Sequence, residues 1–125
     1  MRLEKPKRTL VLVCGDRDWD DYDSIYYRLN RLDATTPGLV IITGGAAGAD
    51  TAANAVAEDV GIPCAVVRAQ WSRYGKAAGA LRNRWMLDFK PDLVLYFHKN
   101  LEASRGTRNC VLEARKRGIP VESGV

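Results

Sequence analysis

The hexapeptide Gly15-Asp16-Arg17-Asp18-Trp19-Asp20 gathers three carboxylates, a guanidinium and an indole. Arg17 can clamp a phosphate there and Trp19 can stack on a base. The same residues also make a capped helix start with an internal ion pair, and both readings stand. A second segment, Thr43-Gly44-Gly45-Ala46-Ala47-Gly48-Ala49-Asp50, follows the apolar run Leu39-Val40-Ile41-Ile42. Its last seven positions hold three glycines and three alanines, so little side chain shields the backbone. N–H groups at a helix start expected from about Ala46 would then suit a phosphate or another anion. The spacing is neither GxxxxGK[ST] nor GxGxxG, and a tight strand-to-helix turn is the alternative. Asp50 either complements the helix dipole, binds a ribose hydroxyl, or serves as an acid/base group. Its charge disfavours direct contact with a phosphate.

Three further groups fall at comparable places. Ser72-Arg73-Tyr74-Gly75-Lys76-Ala77-Ala78-Gly79 reads as a flexible basic loop able to close over an anion. Arg82 and Asn83 follow near the start of a helix, where Arg82 can reach back toward a cleft, whereas Arg84 is expected in solvent. Ser104-Arg105-Gly106-Thr107 forms a second candidate anion nest, in which Thr107 either caps a helix or binds an oxygen. His98 closes an apolar run and suits either a structural or a catalytic role. If the chain does chemistry, Asp50, Asp16 and Asp18 are the candidate carboxylates and Arg82 the candidate cation.

The elements that must position these groups alternate regularly. Thr9–Cys14 is a continuous apolar run, predicted as a strand buried on both faces. Asp20 and Asp21 can cap a helix through about Leu32, with Ile25, Leu29 and Leu32 at helical spacing. Further strands are predicted at Leu39–Thr43, Cys64–Arg68, Asp92–Phe97 and around Pro120-Val121. Helices are predicted from about Ala46 to Val60, Ala77 to Phe89, and Gly106 to Arg117. Such alternation gives parallel βαβ units with helices on both faces of the sheet. Ligands then bind beyond the carboxyl ends of the strands. All the polar, glycine-bearing segments fall at that edge, whereas the opposite loops, such as Gly61-Ile62-Pro63 and Lys90-Pro91, are short and plain.

Composition narrows the class. The 125 residues suit one domain spanning 1–125, and 46% hydrophobic with 27% charged residues is ordinary for a soluble globular protein. No apolar run is long enough to cross a membrane, and Met1–Arg8 lacks the apolar core of a signal peptide. Cys14, Cys64 and Cys110 are scattered, His98 is the sole histidine, and no metal-ligand spacing occurs. Reduced thiols in a cytoplasm are expected. The net charge of +4 draws on Arg2, Lys5, Lys7 and Arg8 and on Arg115-Lys116-Arg117. Solvated ends explain most of it, and a field attracting anionic small molecules is the functional reading. Aromatic residues do not interleave with a basic stripe, which disfavours nucleic acid as the partner. Trp71, Tyr74 and Trp85 suit either a pocket or a homo-oligomer interface.

Taken together the segments resemble the SLOG superfamily, and within it the small YspA-related (cpYpsA-related) branch of bacterial and phage proteins. The marks are Gly15-Asp16-Arg17 with Trp19-Asp20, then Thr43 through Asp50, Gly79 with Arg82-Asn83 and Met86, and Gly106-Thr107 before a helix ending Ala114-Arg115-Lys116-Arg117-Gly118. The resemblance implies a Rossmann-like three-layer α/β/α sandwich with a five-stranded parallel sheet in the order 3-2-1-4-5. It also implies a nucleotide-derived ligand over the strand ends. The residues expected to contact it, from the segments as read above, are Gly15 to Arg17, Trp19, Thr43 to Ala46, Gly48 to Asp50, Tyr74, Arg82, Asn83, His98 and Arg105 to Thr107. In the superfamily's LOG phosphoribohydrolases an arginine works with a glutamate from a PGGxGTxxE stretch. Arg82 matches that arginine, but Gly106-Thr107 is followed by Arg108-Asn109-Cys110-Val111 and preceded by no glycine pair. The leading expectation is therefore a binding module acting as sensor, carrier or sequestering protein. Hydrolysis of an N-glycosidic or phosphate ester bond, with Mg²⁺ accompanying a phosphate, is the alternative. A DNA-binding module like that of the superfamily's DprA proteins is the third reading.

Overall fold

The computed structural model describes residues 7–125; of the N-terminal basic run, Arg2 and Lys5 lie outside the described residues. Five strands, β1 (Thr9–Gly15), β2 (Leu39–Thr43), β3 (Cys64–Val66), β4 (Leu93–Phe97) and β5 (Val121–Ser123), form one sheet in the order β3-β2-β1-β4-β5. Every pairing is parallel. Helices α1 (Tyr22–Thr35) and α2 (Ala49–Val60) alternate with the first strands, and α3 (Trp71–Tyr74), α4 (Ala78–Asp88) and α5 (Gly106–Lys116) with the later ones. The sandwich and strand order expected from the family resemblance are both present.

Alternation along β1 explains the three layers, because successive side chains of a strand point to opposite faces. Val11 and Val13 join Ile25 and Leu29 of α1 and Ala53, Val56 and Ala57 of α2 in one buried cluster. Leu12 and Cys14 join Met86 and Leu87 of α4 and Cys110 and Ala114 of α5 in the other. Burial on both faces is what the uninterrupted apolar run required. Helix α1 is capped as expected by Asp21, whose carboxylate accepts the Ser24 N–H at 3.1 Å. A hydrogen bond from Tyr22 to Asp59 ties α1 to α2 and pushes the Tyr22 phenol up to about 12.

Three local features differ from what the sequence led one to expect. Helix α2 begins at Ala49, not Ala46, because Gly45 and Gly48 adopt left-handed φ values of 69° and 75° that break a right-handed helix. The stretch Ser72–Gly79 is not an open loop. It folds into the single turn of α3 and a 3₁₀ turn at Gly75–Ala77 that runs into α4. Strand β3 also stops at Val66, two residues early, and frees Arg68 from the ladder.

Candidate functional site

The chain order reverses direction between β1 and β4, since β2 and β3 lie on one side and β5 on the other. At such a switch the loops leaving neighbouring strands part and leave a crevice. Asp16 leaves β1 and His98 leaves β4 at this point, where the Asp16 N–H donates to the Phe97 carbonyl at 2.9 Å. A cleft of about 730 Å³ opens above them. Its walls are Gly15 to Asp18, Ala46 and Asp50, Trp71, Lys76, Gly79, Ala80, Arg82 and Asn83, and Ala103 to Thr107 with Asn109.

The floor is a continuous polar network. Arg82, 7% exposed, donates Nη1 to the Gly44 carbonyl at 2.6 Å and Nε to Asn83 Oδ1 at 3.0 Å. Asn83 in turn donates to Asn109 Oδ1 at 3.1 Å and to the Gly106 carbonyl at 3.3 Å. Three chain segments are thereby joined beneath the cleft. Gly44 is needed because a Cβ there would sit 2.8 Å from Arg82 Cζ and 2.9 Å from Asp50 Oδ2.

Asp50 is buried in the first turn of α2 and accepts the Ala46 N–H at 3.2 Å. The carboxylate of the chain itself therefore takes a backbone donor that the sequence reading offered to an external anion. Burial pushes the Asp50 carboxyl above its ordinary 3.8, opposed by the Ala46 hydrogen bond and by the positive charge of Arg82. Asp16 accepts the Asp18 N–H through Oδ1 at 2.9 Å, and its Oδ2 faces His98 Nε2 at 3.9 Å. His98 Nδ1 accepts the Asn100 N–H at 2.9 Å, which leaves the ring proton on Nε2, toward Asp16. Cys14, at the base of the cleft, touches Cys110; that contact and burial hold its thiol well above the usual range. Among the described residues no group of three or more His, Cys, Asp or Glu side chains could hold a metal ion, and no helix is long and apolar enough to cross a membrane.

Of the residues expected at the ligand, Gly15 to Arg17, Ala46, Asp50, Arg82, Asn83, His98 and Arg105 to Thr107 line the cleft. Asp18 lines it as well, so all four candidates for chemistry border the same cleft. Gly44 and Gly45 line a smaller adjoining lobe of about 290 Å³. Trp19 is a correction: it is 8% exposed, meets Phe97 edge-on with ring centroids 5.8 Å apart, and donates Nε1 to the Asp21 carbonyl at 3.0 Å. It fills the core and cannot stack on a base. Thr43 is wholly buried and donates to the Val13 carbonyl, so it ties β2 to β1. Gly48 and Ala49 pack beneath the β1–α1 turn, and Ala49 N–H donates to the Asp16 carbonyl at 3.0 Å. Tyr74 turns away and meets Trp85 edge-on. Its place on the cleft is taken by Trp71, half exposed, with the Arg17 guanidinium 5.8 Å from its ring centroid. Trp71 was expected at either a pocket or an interface; Arg68, on the smaller lobe, and Asn109, in the floor, were missed. The signal for Arg68 was its place just after a strand, on the edge where ligands bind. Glu113 pairs with Arg117 at 3.4 Å and does not line the cleft.

A parallel Rossmann-like sheet with an acid- and arginine-lined crevice at its switch point is the class defined by this geometry. The chain belongs to the YspA, cpYpsA-related SLOG family, whose sequence model matches residues 9–74. It is 40% identical over 117 residues to the Gene 61 protein of Mycobacterium phage D29, covering 89% of this chain and 92% of that protein. It is also similar in structure to DNA processing protein A (DprA) from Streptococcus pneumoniae, with a TM-score of 0.76 at 20% identity over 93% of this chain. The chain spans 50% of the length of that DprA chain, and the likeness is one of fold.

Proposed function

We propose that the chain is a single SLOG-type domain that binds a nucleotide-derived small molecule in the switch-point cleft, as a sensor, carrier or sequestering protein. The observation that carries this reading is the composition of one cavity. A volume of about 730 Å³ matches a ligand of that size, and its walls offer each kind of partner such a ligand needs. Asp16 and Asp18 can accept from ribose hydroxyls, Trp71 presents an aromatic face, and Arg17, Arg82 and Arg105 supply positive charge. Calorimetric titration with a panel of nucleosides and nucleotides tests it. Saturable binding, weakened about tenfold or more in Arg105→Gln, is the expected result. No binding by any member of the panel overturns it.

Hydrolysis of the same ligand is a second reading, favoured by Asp50. Burial holds this carboxyl above its ordinary value beside Arg82, the situation of a group suited to proton transfer. Turnover of a panel member with or without Mg²⁺, lost in Asp50→Asn while binding persists, would establish it. An intact panel would remove it.

A further inference from the structure

We infer that the smaller lobe beside the main cleft is a binding site for a phosphate or diphosphate group. The two cavities adjoin and share Arg17, Ala46, Trp71 and Arg82. Their charge differs sharply. In the larger cleft Asp16, Asp18 and Asp50 offset most of the charge of Arg17, Lys76, Arg82 and Arg105, whereas the charged residues lining the smaller one are Arg17, Arg68 and Arg82 alone. The arginines come from three separate places: the turn after β1, the segment after β3, and α4. Asp50 offsets part of the Arg82 charge, but no carboxylate lines the lobe beside Arg17 and Arg68, and an anion would relieve that convergence of like charge.

The geometry leaves those guanidiniums with capacity to spare. A guanidinium carries five N–H donors. Arg68 spends one on the Gly45 carbonyl at 3.3 Å, and Arg82 spends two on Gly44 and Asn83. Arg17 lies over the Trp71 ring. The loop Gly44–Ala47 forms the remaining wall, and its conformation depends on the same residues. Gly45 has φ of 69°, and a Cβ there would meet Val66 at 2.8 Å and Arg68 Nη1 at 3.1 Å. The volume of about 290 Å³ accommodates a phosphate or diphosphate. The Arg17–Trp71 pair then stands at the waist between the lobes. A phosphorylated ligand would place its anion past this pair and its less charged part among the carboxylates. The identity of the whole ligand rests on the proposed reading of the main cleft; the anion lobe stands on its own residues.

The test is an amide NMR titration of the full chain with inorganic pyrophosphate at low salt, repeated in Arg68→Gln and in Arg31→Gln. Arg31 is an exposed residue of α1, so its variant removes the same charge elsewhere. Shifts concentrated at Gly44, Gly45 and Ala46, with affinity reduced about tenfold in Arg68→Gln and unchanged in Arg31→Gln, are expected. Equal losses in the two variants, or shifts spread over the basic surface, would overturn the assignment. A nucleoside without phosphate, added to the same samples, reports on the main cleft alone through Asp16, His98 and Thr107. Its failure with pyrophosphate binding intact removes the main-cleft reading and keeps the anion lobe. Single-stranded DNA is the final arm: binding that needs Arg68 when pyrophosphate does not bind would overturn the small-anion assignment in favour of a strand backbone.

Discussion

Replacing Gly48 by alanine measures how tightly the cleft is built onto its support. Gly48 has φ of 75°, and a Cβ there would land on the carbonyl oxygens of Asp16 and Arg17. Gly61, which ends α2, provides the control: its φ is 86°, but a Cβ would meet nothing within 4 Å. At Gly61, with ψ of 27°, alanine enters the left-handed helical region at about 1–2 kcal/mol; at Gly48, with ψ of −121°, it lies outside that well and costs at least as much. Both also stiffen the unfolded chain, which offsets about 0.4–1 kcal/mol. Gly61→Ala should therefore cost about 1 kcal/mol net. In Gly48→Ala the Asp16–Asp18 turn must also move. It then gives up the 3.0 Å bond from Ala49 N–H to the Asp16 carbonyl and the packing around it. A lost buried hydrogen bond with an orphaned partner adds about 1–3 kcal/mol, for a total of about 3 kcal/mol. Urea unfolding followed by far-ultraviolet circular dichroism should show a clear gap between the two midpoints at equal slope. Two variants within about 0.5 kcal/mol of each other, the ordinary scatter of innocuous surface changes, would refute the close approach as a structural constraint.

Four other outcomes follow from the same geometry. Trp19→Ala should destabilise the fold by about 3–5 kcal/mol, as large core truncations do, while Trp71→Ala stays within about 1 kcal/mol of the parent and weakens ligand binding; thermal melts and titrations of both variants check this. Burial raises the Asp50 carboxyl, so the folded state holds its proton more tightly than the unfolded state. Stability relative to Asp50→Asn should therefore fall as pH rises above the ordinary value of 3.8 and through the higher folded value, and a pH series of urea midpoints that rises instead would reverse the assignment. Asn83→Ala should cost about 1–3 kcal/mol by orphaning Arg82 Nε and Asn109, measured by the same unfolding assay. Thiol titration of the native protein should modify half-buried Cys64 first, with Cys14 and Cys110 reacting only as urea unfolds the chain; early reaction of the latter pair would contradict their burial.

The first four strands and their parallel arrangement were legible because each is an apolar run bounded by glycine, proline or charge, whereas β5 is only Val121-Glu122-Ser123. The order of the sheet was not. It came from the family resemblance, since no feature of β1 or β4 alone states which strands they pair. Local chemistry also failed to separate the two tryptophans. Trp19 sits among carboxylates in the sequence, but the turn held by Asp16 Oδ1 and Asp18 N–H sends its ring inward. Trp71 reaches the cleft through α3, a four-residue turn too short to show periodicity. Arg68 was hidden by reading β3 two residues too long. Arg82 and Asn83 were found because their helix starts at the edge where the cleft lies; their hydrogen bonds to Gly44, Gly106 and Asn109 are tertiary and no spacing encodes them.

The central position of β1 also bears on how the chain is made. β1 leaves the ribosome before the other strands, yet one of its edges pairs with β4, and Leu10 N–H ends on the Asp92 carboxylate, 82 residues later. Until Leu93–Phe97 has been synthesised, the backbone donors and acceptors on that edge of Val11–Gly15 have no partner in the sheet, and the face of Leu12 and Cys14 waits for α4 and α5. A nascent chain halted anywhere before Phe97 thus presents an apolar strand with an open edge, the situation that invites pairing with other chains. Closure of that edge waits on β4, and completion of the Arg82–Asn83–Asn109 floor waits on Asn109 in the next helix. The vulnerable interval in synthesis and the interval without a cleft therefore end almost together.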